Sequence, residues 1–144
     1  MSELVNELKA LLADEIAMFL KAQGFHWNVE GPMFHPFHGF FGEIYSDVYG
    51  AVDPTAEYIR TLEEYAPFTL PSLSKLRDVK DEKVTTDPID MCVQLSDAND
   101  QIISRLEGLF KLADAASEQG IADFVAGRES QHKKWRWQMR AILK

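Results

Sequence analysis

The stretch FHWNVEGPMFHPFHGFFGEIYSDVYGAVDPTAEYI, Phe25 to Ile59, decides how this chain folds. Within it NVEGP, Asn28 to Pro32, interrupts a helical pattern, because Gly31 accepts backbone angles that other residues avoid and the residue before Pro32 is pushed out of the helical region. Upstream, Leu8, Leu11, Leu12, Ile16, Phe19 and Leu20 recur at three and four residues, which gathers one helical face and predicts a long first helix from Glu3 to Trp27. Downstream, Phe37, Phe41, Ile44, Tyr45, Val48, Val52, Ile59 and Leu62 carry a second helix that begins near Phe34. Pro36 falls in its first turn, where a missing N–H costs little, whereas Pro54 lies in its interior and predicts a kink near Gly50.

Proline breaks the next segment, Pro67 to Lys83, which reads as a connector with room for a short helix at SLSKLRDV. A third helix is expected from Pro88, just after Asp87, and carries Ile89, Val93, Leu95, Ile102, Ile103, Leu106, Leu109, Phe110 and Leu112, with Gly120 marking its end. A last helix follows from about Ile121 to Leu143, with Phe124, Val125, Trp135, Met139 and Ile142. No repeat or strand-like alternation occurs. The reading is therefore an all-α chain, one domain over residues 1–144, folded as a four-helix bundle with a short extra helix in the connection between its second and third helices, the ferritin-like arrangement.

Composition narrows the classes of function. With 46% apolar and 26% charged residues the chain has ordinary globular composition, which argues against disorder. No apolar run reaches the roughly 18 residues of a membrane span, and MSELVNELKALLADE places acids where a secretory signal would place bases. A cytoplasmic protein with no membrane partner is expected. The lone Cys92 excludes an intrachain disulfide and a cysteine-based zinc site, and reads as a small core residue. A net charge of −8 repels nucleic acid at long range and favours cations.

Cations direct attention to His26, His38, Asp53 and Glu57. On a wheel of about 100° per residue, Asp53 and Glu57 share a face and His38 lies only about 60° round from Asp53. Along the axis, however, His38 and Asp53 are roughly 22 Å apart, too far to hold one ion within a chain. If two copies of this helix pack antiparallel about a two-fold axis, His38 of each meets Asp53 and Glu57 of the other, and two equal sites arise. His26 is carried by the NVEGP turn to the same end of the second helix as His38. Two imidazoles and two carboxylates suit iron or another divalent first-row metal. The same four residues also read as core or interface histidines and a solvated acidic face.

The run HWNVEGP followed by His38, Asp53 and Glu57 resembles the Dps proteins, the miniferritin branch of the ferritin-like superfamily. LLADEIAMFLKAQGFHWN resembles that family's first helix and HKKWRWQMRAIL its closing helix, so the resemblance spans nearly the whole chain. It implies a homo-oligomer, a hollow shell of twelve subunits, with ferroxidase sites shared between two-fold mates. There His26 and His38 of one subunit and Asp53 and Glu57 of the other would bind iron, which is oxidised by hydrogen peroxide or dioxygen and stored as ferric mineral. Trp27 would be an electron donor beside the site, or else a core anchor. The family's further acid, four residues after its second histidine, is replaced here by Gly42, which leaves a second iron position incomplete and predicts that Gly42→Asp strengthens it. His35 and Glu43 stand next as ligands, although Glu43 lies about 140° round the wheel from His38 and His35 also suits the helix start. Glu118 and Asp123 fall where the family lines its iron-entry pores. DNA binding is expected to be weak or absent, because Met1 to Ala10 carries two acids and only Lys9; the basic run is at the other end, Lys133, Lys134, Arg136, Arg140 and Lys144. The alternative is a Dps-like shell that has weak or no ferroxidase activity and acts as a structural or DNA-associated protein.

Overall fold

The computed structural model describes residues 2–144; Met1, the first residue of the acidic amino-terminal stretch, lies outside the described residues. The chain forms α1 (Ser2–Asn28), α2 (Phe34–Thr61), the short α3 (Leu70–Leu76), α4 (Pro88–Ala115) and α5 (Gln119–Ile142), with no strand among the described residues. Gly31, at a φ of 113°, turns α1 into α2, and the two helices pack along their length; α4 and α5 pair likewise, and α1 packs on α4 to join the pairs.

Leu8, Leu11 and Met18 of α1 are fully buried against Phe41, Ile44, Val48 and Ile59 of α2 and Met91, Leu95, Ile102 and Leu106 of α4. Removing one such side chain typically costs about 2–5 kcal/mol. Cys92 is a core residue, and burial pushes its thiol up to about 11, so it is inert as a nucleophile. Leu20, predicted on the buried face of α1, is instead 54% exposed.

Two boundaries differ from the sequence reading, while α2 keeps its expected extent. Despite Pro54, α2 is a single helix from Phe34 to Thr61. The carbonyl one turn back, which loses its helix bond, belongs to exposed Gly50, and Thr55 Oγ1 donates to the next carbonyl, that of Ala51, at 2.9 Å. The short helix starts before SLSKLRDV, because Thr69 caps it and Pro71 fits its first turn. Gly120 lies inside the first turn of α5; the break after α4 is made by Ser117, at a φ of 58°, whose N–H bonds the Asp114 carbonyl.

The connection is fastened to α1. Asp14, fully buried, accepts from the backbone N–H groups of Asp78 (2.7 Å) and Val79 (2.9 Å) and from Arg105 Nε (3.1 Å), while Arg105 also pairs with Glu7 and Asp78. Burial still pushes the Asp14 carboxyl above its usual range, against the pull of those donors.

Candidate metal centre

His26 lies in the last turn of α1 and His38 in the second turn of α2, joined by the Gly31 turn. Their rings stack 3.7 Å apart, centroid to centroid, at 16° between planes. His26 Nδ1 is 2.6 Å from the His38 carbonyl, and His38 Nδ1 is 2.6 Å from the His26 carbonyl. A carbonyl only accepts, so each Nδ1 carries the proton and donates it; in the neutral ring, each Nε2 then keeps its lone pair. The His26 carbonyl has a structural need for this bond. It belongs to the last turn of α1, and the N–H of Glu30, four residues on, goes to the Thr86 carbonyl instead. Tying Nδ1–H to a backbone carbonyl is also the usual way of fixing a metal-binding imidazole.

The carboxylates stay apart from this pair. Asp53 and Glu57 are exposed on the later turns of α2, and among the described residues no three of His, Cys, Asp and Glu approach closely enough to hold a metal ion. One chain thus brings together the two histidines and leaves the two acids further along the same helix. Glu43 and His35 are also exposed, and no side chain caps the start of α2. Trp27 is 65% exposed, so within the chain it is no core anchor. Glu118 is the residue preceding α5, without a capping hydrogen bond, and Asp123 is exposed in the following turn.

Gly42 is more than a missing acid. A β-carbon there would lie 3.1 Å from His26 Nδ1 and 3.2 Å from its Cε1, so the space one turn after His38 is filled by the His26 ring. The expectation that an aspartate at this position simply adds a ligand therefore needs correction, since its β-carbon presses on a histidine of the site.

Sequence reading missed a second polar group, buried between the helices. Asp47 of α2 receives both terminal nitrogens of Arg128 (2.9 and 3.0 Å) and the Trp135 indole N–H (3.0 Å). Arg128 Nη2 lies 3.1 Å from His132 Nε2, which must accept because a guanidinium only donates; His132 Nδ1–H then donates to Asn99 Oδ1 at 2.7 Å, and Asn99 Nδ2 returns a bond to the His132 carbonyl at 2.8 Å. Burial and then Arg128 push the His132 imidazole down to about 3, so it is neutral. Glu15 of α1 is buried and its carboxyl is pushed up to about 8, first by burial. The Thr55 hydroxyl donates within reach of both Glu15 Oε2 (3.1 Å) and the Ala51 carbonyl (2.9 Å). The spacing of Arg128, His132 and Trp135, at i, i+4 and i+7 on one face of a polar helix, was the available signal.

The pattern of the ferritin-like domain family matches residues 5–144. A low temperature-induced protein of Nostoc is 28% identical over 141 residues, 96% of this chain and 79% of that one. The DNA protection during starvation protein of Brevibacillus brevis is 25% identical over 136 residues, 94% of this chain and 91% of that one. The solved Dps protein of Vibrio cholerae, described as one of the ferritin-like diiron-carboxylate proteins, superposes with a TM-score of 0.95 at 26% identity, over 99% of this chain and 90% of that one. Sequence pattern and helix arrangement thus agree over almost the entire length, and the chain belongs to the ferritin-like family, in its Dps branch, a family of iron storage and protection.

Proposed function

We propose that this protein, a single domain over its 144 residues, is a ferroxidase and iron-storage shell. Ferrous iron is its substrate, bound where two chains meet: His26 and His38 supply Nε2 atoms from one subunit, and Asp53 and Glu57 supply oxygens from its two-fold mate. The observation that carries this reading is the reciprocal His26–His38 bond, which commits both Nδ1 atoms to the backbone and keeps both Nε2 atoms available. Large apolar side chains left open, Trp27 (65% exposed) and Met33 (52%) near the turn and Tyr49 (59%) further along α2, support an assembly that covers them. By its family likeness that assembly is a dodecamer. With peroxide as oxidant, two ferrous ions each give one electron, the O–O bond breaks, and two protons complete two waters. The carboxylates offset the charge gained by the iron, the imidazoles fix its place, and exposed Trp27 is at hand as an electron donor. Glu118 and Asp123 are proposed at the iron entry.

The Brevibacillus brevis relative is by name a DNA-protection protein, but for this chain DNA binding is proposed to be weak. Lys133 of the basic carboxy-terminal run is held by Glu129 at 3.3 Å, and the net charge is −8. The rival reading, a shell with little or no oxidation, is favoured by Gly42, which brings no oxygen ligand. Titrating oxygen-free protein with ferrous iron, then adding peroxide and following ferric absorbance, decides between them. Rapid oxidation beyond the protein-free rate is expected, and its absence would leave only the shell.

A further inference from the structure

Gly42 differs from the other seven glycines of the chain. A β-carbon at six of them would meet open space and at Gly120 would make ordinary contact at 3.9 Å, whereas at Gly42 it would come within 3.1 Å of His26 Nδ1 and 3.2 Å of Cε1. Carbon contacts settle at about 3.5–4.0 Å, so the ring would have to give way. Two rings stand behind it. The stacked His38 ring lies 3.7 Å away and the Tyr45 ring stands edge-on at 5.2 Å, and any shift of the ring changes the 2.6 Å bond from its Nδ1 to the His38 carbonyl. Backing off by a few tenths of an ångström stretches that bond or tilts the ring off its partner. A glycine inside a helix also costs about 0.5–1 kcal/mol relative to alanine, so helix formation gives no reason for it here.

We propose that Gly42 is a positioning residue of the metal site: its missing side chain is the slot that lets His26 and His38 stack and bond reciprocally, and so fixes the two Nε2 atoms that take a divalent first-row cation. The part concerning the cation rests on the ligand set proposed above. On this view the chain trades an oxygen ligand at position 42 for a fixed pair of nitrogen ligands.

The test compares the full-length assembled protein with its Gly42→Ala variant in two measurements. High-resolution structures of both without metal report ring separation and the two Nδ1 to carbonyl distances, independently of any binding. Calorimetric titration with Co(II), which undergoes no oxidation in the absence of oxygen, reports affinity, and its visible absorption reports nitrogen ligation. Gly42→Ala is expected to displace the His26 ring and weaken Co(II) by about ten-fold or more, the range seen when the groups that orient metal-binding histidines are lost. In a His26→Ala background the same change should have no effect on affinity, because the contact is gone. Rings that stay stacked, with both bonds intact, overturn the proposal. Rings that move while wild-type Co(II) binding is undiminished overturn the role toward the cation. If wild-type protein fails to bind Co(II), the ligand set proposed above fails, while the metal-free structures still decide what Gly42 does. Should Gly42→Ala fold poorly, recovery of the fold in the His26→Ala, Gly42→Ala double variant supports the contact, and no recovery counts against it.

Discussion

Two buried residues give the fold opposite responses to acid. His132 binds its proton at about 3 in the folded chain against 6.5 ordinarily, so between those values the unfolded chain holds more protons and stability falls as pH drops. Glu15 binds its proton up to about 8 against 4.5 ordinarily, so there the folded chain holds more, and stability falls as pH rises through that range. The slopes oppose each other between pH 4.5 and 6.5 and act alone on either side. The melting temperature should therefore show a broad maximum across that window, with an acid limb from His132 and an alkaline limb from Glu15. Scanning calorimetry against pH checks this: His132→Asn should flatten the acid limb, Glu15→Gln the alkaline one, and a limb unchanged by its own substitution would reject the assignment. A different residue-scale outcome concerns Trp27, exposed and outside the core. Trp27→Phe should leave the helix content of the chain unchanged by circular dichroism, since the residue lies outside the chain's core, while weakening the assembly that covers its face, which sedimentation measures.

At the scale of elements, Asp14 ties the backbone of the loop after α3 to α1. Asp14→Asn keeps one oxygen for the backbone donors but removes the charge facing Arg105, and should cost about 3 kcal/mol, the lower end for breaking a buried pair. Urea denaturation measures the loss, and hydrogen exchange should quicken first at Asp78 and Val79, which donate to Asp14. The helices themselves were readable, because apolar spacing and the signals at Gly31, Pro36 and Asp87–Pro88 are local. What fastens them was not. Asp14 and Arg105 are 91 residues apart and look like ordinary surface charges until the fold joins them. Ser117 could not be foreseen as the breaker between α4 and α5 because its left-handed backbone angle has no marker comparable to the nearby glycine, and Gly120 drew the prediction instead.

For the whole molecule, His26 and His38 were legible as a pair, and the distance from His38 to Asp53 along α2 already excluded one ion shared within a single chain; the reciprocal bonds and the crowding at Gly42 were not legible, since they depend on how two rings lie across a turn. Sedimentation of the purified protein should give a large closed oligomer, and a monomer alone would remove the shared site. His38→Ala and Asp53→Ala should each abolish rapid iron oxidation in an intact shell. Refolding the two together should restore part of it, because in a mixed pair one site loses both groups and the other keeps both; no recovery would reject ligands drawn from two chains. The interior of each bundle adds a last consequence. Arg128 and Asp47 cancel, His132 is neutral and Glu15 keeps its proton at neutral pH, so this buried group is complete in charge with no ion present. If the chain stores iron as proposed, the metal is a passenger and not a keystone: the fold is finished before its cargo arrives.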